Sequence, residues 1–247
     1  MKNLIPISGI TLFFIVALSS CSPKYYAPNR QNVPLLSKKN EAKAELSTGN
    51  ERIGIQTAMA ITNQLAIQLN GGIFKESDDN NDNKNNGSGY LGEIGFGFFK
   101  EFSPKWIVET YALGAFGSME NHLPSTVDKY PNTKGDIYAD LYKFGLQPSI
   151  GYKSKYFDAS FSTRISNLRY NNIKGDLIYR DEVQAEYLKN NSSTMLLEPA
   201  ITLAVGYNMV KVEVQYGLSL NLTNNNFRQK HTYFGLGLSL RLGNSFD

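Results

Sequence analysis

Few residues in this 247-residue chain have the types and spacing that chemistry demands. The sole cysteine, Cys21, follows the apolar stretch Leu12–Leu18 and Ser19-Ser20, and no intramolecular disulfide can form. There are two histidines, His122 and His231, and Asp128 and Asp136 lie near the first in sequence. An Asp–His pair could activate water, but no hydrolase motif accompanies these two. With two histidines and one cysteine, a zinc site is nearly excluded. The run Asp78-x-Asn80-x-Asp82 spaces oxygens as a calcium loop does, yet Asn83 stands where the turn glycine belongs and no glutamate closes the loop. It reads as a solvated loop. Serines are plentiful without a telling context, and phosphate-binding, dinucleotide-binding and basic–aromatic patterns are absent from the sequence. The expectation is therefore no cofactor, no metal, no nucleic-acid partner and no enzymatic activity. A hydrolase at an outer rim is the remaining alternative.

Residues 1–20 read as a processing signal: Lys2 supplies the positive start, Leu12–Leu18 the apolar stretch, and Ser19 and Ser20 the small residues before a cut. The run Leu18-Ser19-Ser20-Cys21 resembles the lipobox of bacterial lipoproteins. That resemblance implies a diacylglycerol on the Cys21 thiol, an acyl group on its freed amine, and so an exported protein anchored in a membrane through several buried chains. Ser22 after the cysteine fits outer-membrane sorting in that family. Residues 21–40, with Pro23, Pro28 and Pro34, read as a lipidated, extended tether. The apolar patch Val33-Pro34-Leu35-Leu36 could dock on the body; a loose spacer is the plainer expectation.

From about residue 41 onward the dominant signal is period two. Along 211–222, Val212, Val214, Tyr216, Leu218, Leu220 and Leu222 oppose Lys211, Glu213, Gln215, Gly217, Ser219 and Asn221. Along 232–242, Phe234, Leu236, Leu238, Leu240 and Leu242 oppose Gly235, Gly237, Ser239 and Arg241. A tilted strand of this length crosses a bilayer, and a helix would not keep the parity. Similar alternation runs through 52–62, 65–75, 138–152, 157–168 and 195–207; it is less clean in 42–48, 89–100 and 105–117. Ten strands are expected, with eight as the fallback. Pro148 and Pro199 fall inside strands, where a bulge could absorb each missing donor, and Asp140 falls on the apolar face.

Short connections alternate with long polar ones at 76–88, 118–135, 171–191 and 223–231, so the long loops share one end. The face opposite the aliphatics is rich in small residues and carries a sparse set of charges: Glu45, Glu93, Glu109, Lys143, Asp158, Arg164, Glu198, Lys211, Glu213 and Arg241. Enclosed together these could pair; solitary, they would be costly. Phe98, Phe102, Trp106, Tyr152, Phe157 and Tyr207 cluster by the short turns as an aromatic girdle would. The pattern across residues 42–242 resembles the small outer-membrane β-barrels of Gram-negative bacteria, the OmpA-like group. That likeness implies an all-β, antiparallel up-and-down transmembrane barrel over 41–247 with a narrow polar lumen. Short turns and both termini would lie on the periplasmic side, with the lipid beside them. The expected partners are membrane lipid, through acylated Cys21 and the apolar face, and a protein or surface ligand at loops 76–88, 118–135 and 171–191. The expected role is structural or interactive. The rivals are a narrow pore for ions or small solutes and a soluble periplasmic barrel binding an apolar ligand. A net charge of +3, from 25 basic against 22 acidic residues, gives no lead to a strongly charged partner.

Overall fold

A computed structural model describes residues 23–49, 52–78, 85–123 and 132–243. Cys21, Phe246 and loop residues 79–84 lie outside them. Among the described residues, ten strands form the wall: β1 (Ala42–Gly49), β2 (Arg52–Ala60), β3 (Leu65–Asp78), β4 (Asn85–Ser103), β5 (Trp106–Leu123), β6 (Gly135–Lys153), β7 (Phe157–Gly175), β10 (Ser193–Tyr207), β11 (Val210–Leu218) and β13 (Thr232–Leu242). Each pairs antiparallel with its neighbours, and β1 meets β13 from Ala42↔Leu242 to Thr48↔Leu236, which closes the sheet on itself. Closure removes every unpaired edge, the condition for β structure in hydrocarbon.

The side-chain parity follows the sequence pattern. Leu236, Leu238, Leu240, Val212 and Ile201 are exposed on the outer wall, while Glu213, Arg241 and Ser239 are buried within. The exposed aliphatics run around the barrel, so a soluble barrel with an apolar pocket inside does not describe this chain; the aliphatic side would be insoluble in water. This is a membrane-spanning barrel. At the short-turn end Phe102, Trp106 and Tyr207 face outward, with Trp106 5.7 Å from Tyr152 and Tyr156 5.7 Å from Tyr207 between ring centroids.

Three expectations change. The strands β4 to β7 are 18 or 19 residues long, against 8 and 9 for β1 and β2, so much of what read as loop at 76–88 and 118–135 is strand. The expected loop 171–191 holds the end of β7, a small hairpin of β8 (Ile178–Tyr179) and β9 (Glu182–Val183), and helix α1 (Gln184–Asn190). No bulge marks the prolines. Pro199 pairs with Thr163, and the β6–β7 ladder lapses beside Pro148 between Leu146↔Ile165 and Ser149↔Ser162 with the register unchanged. Both prolines thus flank one strand, and the lost donors fall at a single spot in the wall. The register shifts lie instead at Tyr138/Asp140 and Glu101/Ser103. Asp140, on the outer side, accepts hydrogen bonds from Tyr138 Oη and Asn172 Nδ2, both at 2.6 Å.

The largest departure concerns the segment expected as a spacer. Gln31 to Leu36 are buried, Leu36 completely, and they lie inside the barrel. The segment descends the lumen. Near Lys24 it meets Asn121 at the long-loop end of β5; near Ser37 it meets Lys153 at the short-turn end of β6. The chain then turns at Asn40, which has positive φ, and starts β1.

Replacing Leu238, exposed between Leu46 and Val212, by arginine should cost about 2–4 kcal/mol, the range for a cation at the bilayer midplane. Urea unfolding in lipid vesicles measures it; no loss would contradict the lipid-facing assignment.

Candidate functional site

An extended segment carries one donor and one acceptor per non-proline residue, and inside a closed barrel each needs a partner. Among the described residues, 23–36 make a single β-bridge, Tyr26↔Gln229, to the connection before β13, so below it wall side chains supply partners. Arg52 donates to the Ala27 carbonyl (2.8 Å), Gln56 to Arg30 (2.9 Å), Gln215 to Gln31 (2.9 Å) and Gln147 to Asn32 (2.7 Å). Arg241 Nη1 donates to both Pro34 (2.8 Å) and Leu35 (3.0 Å) carbonyls. In return the Gln31 amide donates to Gln215 and the Leu35 amide to Glu109 Oε1. Two wall glycines make room: a Cβ at Gly151 would lie 2.5 Å from Leu35, and one at Gly235 would lie 2.8 Å from Arg30. Leu35 itself has φ of 52°, a left-handed conformation that its packing must hold.

The structure places all ten candidate charges in the lumen, buried. Nine of the ten sort into three groups. In the upper part Glu93 and Glu198 face Arg164 and Lys143 at 3.6–4.0 Å, and Asn29 of the segment accepts from both cations. Tyr26 Oη donates to Glu198 at 2.9 Å. In the middle Arg30 of the segment lies 2.6 Å from Glu45, while Lys43 bridges Glu45 and Glu213 at 3.7 and 2.7 Å. At the inner rim Asp158 contacts Lys211 at 2.6 Å and Arg241 at 3.4 Å. Glu41 joins Lys153 and Arg241 there at 2.7 and 3.1 Å. Glu109 has no ion pair among the described residues and accepts from Ser149 and the Leu35 amide.

Sequence reasoning missed Arg30, Glu41, Lys43 and Lys153. Lys153 shares the parity of Lys143, and Lys43 that of Glu45, so both were within reach of the alternation. Arg30 was hidden because its segment read as outside the barrel. With these four, the set comprises seven acidic and seven basic side chains, whereas the ten candidates held six and four.

Above the charges the lumen turns apolar. Tyr25, Tyr170, Leu177, Leu188 of α1, Leu196 and Phe227 pack as one cluster that covers the segment's upper end. Tyr25 Oη donates to Gln184 of α1 at 2.6 Å, and Arg228 lies over the Tyr187 ring at 4.4 Å. His122 contacts exposed Asp136 at the end of β5, whereas His231 is placed near the Ser219 carbonyl; no contact joins the two histidines among the described residues. Among the described residues no cluster of three metal-ligating side chains occurs.

The barrel resembles solved outer-membrane proteins in architecture alone. The translocator domain of the autotransporter NalP from Neisseria meningitidis is 8% identical with a TM-score of 0.43, covering 81% of this chain and 85% of that one. The KdgM porin gives 7% and 0.36, over 81% and 98%. LpxR from Salmonella typhimurium gives 6% and 0.37, over 81% and 99%. No family model and no curated protein matches the sequence. One expectation falls here. Outer-membrane barrels of this kind include enzymes, LpxR among them, so the lack of a familiar motif does not make this chain a non-enzyme.

Replacing Arg164 by methionine should cost about 3–5 kcal/mol, because Glu93 and Glu198 are left buried with Lys143 alone. Adding Glu198→Gln should recover part of that loss in the same unfolding assay. An unchanged single variant would mean the upper group is not sealed from water.

Glu41 sits at the inner rim ahead of β1. Burial alone would raise its carboxyl, but Lys153 and Arg241 outweigh that and hold it below the ordinary value of 4.5. Its contribution is therefore full above the unfolded-state value and disappears as pH falls through the lower folded-state value. Resistance to denaturant should weaken on acidification below the ordinary value of 4.5, and Glu41→Gln should flatten that dependence. A variant as acid-sensitive as the parent would assign the effect elsewhere.

Proposed function

We propose that this chain is a lipid-anchored outer-membrane barrel, closed by its own N-terminal segment, that presents its long-loop end to a protein or surface ligand. The observation that carries the reading is the occupied lumen: Gln31 to Leu36 are buried on the barrel axis and tied to its charges. A lumen of eight to ten strands is nearly filled by its own wall side chains, and here a segment of chain lies among them as well. This favours a closed barrel over a narrow pore. Lipid attachment at Cys21 draws its support from the lipobox-like Leu18-Ser19-Ser20-Cys21. The interaction surface would be built from the connections at 124–134 and 176–192 and the tall wall beneath them. The segment between β11 and β13, which includes β12 (Leu220–Asn221), would border it.

Planar-bilayer recording tests the closed state. The full chain should insert without steady conductance. Deleting residues 23–36, in a variant that keeps the heat-modifiable gel mobility of a folded barrel, should open a conducting path. A steadily open full chain would overturn the closed-barrel reading and favour the pore.

A further inference from the structure

The direction in which the N-terminal segment threads the lumen fixes the side of the membrane on which its lipid can sit. Lys24 presents its carbonyl to Asn121 near the outer end of β5, and the Tyr25 amide donates to the Arg228 carbonyl in the long-loop region. Tyr25 lies under α1, which belongs to the connection after β7. Seventeen residues after Lys24, Glu41 contacts Lys153 at the short-turn end. The segment thus crosses the whole barrel with its start at the long-loop end.

Cys21 is two peptide units from Pro23, and each trans peptide spans about 3.8 Å between Cα atoms, so its Cα stays within about 8 Å of that of Pro23. The hydrocarbon layer is about 30 Å thick. A lipid on Cys21 therefore cannot reach the inner leaflet from the outer end of a filled barrel. Long loops mark the outer side of such barrels and short turns the periplasmic side. Resting on the lipoprotein reading above, we infer that the acyl chains of Cys21 sit in the outer leaflet, on the cell-surface side, with the following segment threaded inward through the lumen. The expectation that both termini and the lipid lie at the periplasmic rim is replaced, because the segment ahead of β1 runs back up inside the wall instead of away from it.

Two readouts separate the claims. Metabolic labelling with an alkyne fatty acid, in the parent and in Cys21→Ala, reports acylation. A bulky, membrane-impermeant maleimide applied to intact cells reports the side, on Lys24→Cys at the long-loop end and Gln64→Cys in the β2–β3 turn. The inference expects an acyl label lost in Cys21→Ala, with Lys24→Cys modified on intact cells and Gln64→Cys modified only after permeabilisation. Acyl label present, with Lys24→Cys modified only after permeabilisation, overturns the outer-leaflet assignment and leaves the lipoprotein reading standing. Absence of acyl label from the parent overturns both, while the thiol pattern still reports the threading. An epitope between Ser22 and Pro23, detected by antibody on intact cells, repeats the side measurement without relying on thiol access, and antibody binding only after permeabilisation likewise overturns the assignment.

Discussion

A strand without a sheet is the governing constraint in this molecule. Among the described residues, 23–36 run through the barrel with a single β-bridge, to Gln229 in the connection before β13, so below it their amides and carbonyls depend on side chains for partners. Arg52, Gln56, Gln147, Gln215 and Arg241 meet that demand from four different strands. The polar face of the wall is thus less a channel lining than a set of donors matched to one peptide backbone. Each donor fixes one height on the segment, and the set fixes its register.

The charges serve the same end. Ion pairs this deeply buried add little net stability, since desolvation offsets most of the attraction. What they impose is cost on every arrangement that leaves one unpaired. Sliding the segment by one residue would part Arg30 from Glu45 and move Asn29 from between Lys143 and Arg164. Arg30 is the segment's own cation in this set, 2.6 Å from Glu45, so without the segment Glu45 keeps only Lys43, at 3.7 Å.

The outward half of the pattern was legible because lipid imposes one rule on it: Leu236, Leu238 and Leu240 must be apolar, and they alternate without interruption. The inward half obeys two rules. Where it faces the segment's polar part it is Gln, Lys, Glu and Arg. Where it faces Val33, Leu35 and Leu36 it is Ile107, Tyr111 and Leu113. β5 therefore reads as apolar on both sides, and that is why its alternation is blurred. The patch Val33–Leu36 was visible as a docking element, but nothing in its spacing distinguishes the inside of a wall from the outside. Strand lengths were legible only up to the bilayer; above it β4 to β7 continue through Asn86, Asn121 and Asp136, residue types that read as loop.

Connectivity carries the constraint into assembly. The segment is covalently continuous with β1, and β1 forms the closing seam with β13. Its lower end turns into that strand through Asn40, while its upper end lies beneath Leu188 and Phe227. Among the described residues the segment's upper end is covered, and Arg241 and Lys153 hold its lower part. The segment meets the seam at two places, Arg30 with Glu45 and Pro34 with Arg241. Both of those contacts are made by seam strands, Glu45 on β1 and Arg241 on β13. The residues that seat the segment thus stand on both sides of the closing seam, so the plug ties β1 to β13 as well as filling the lumen.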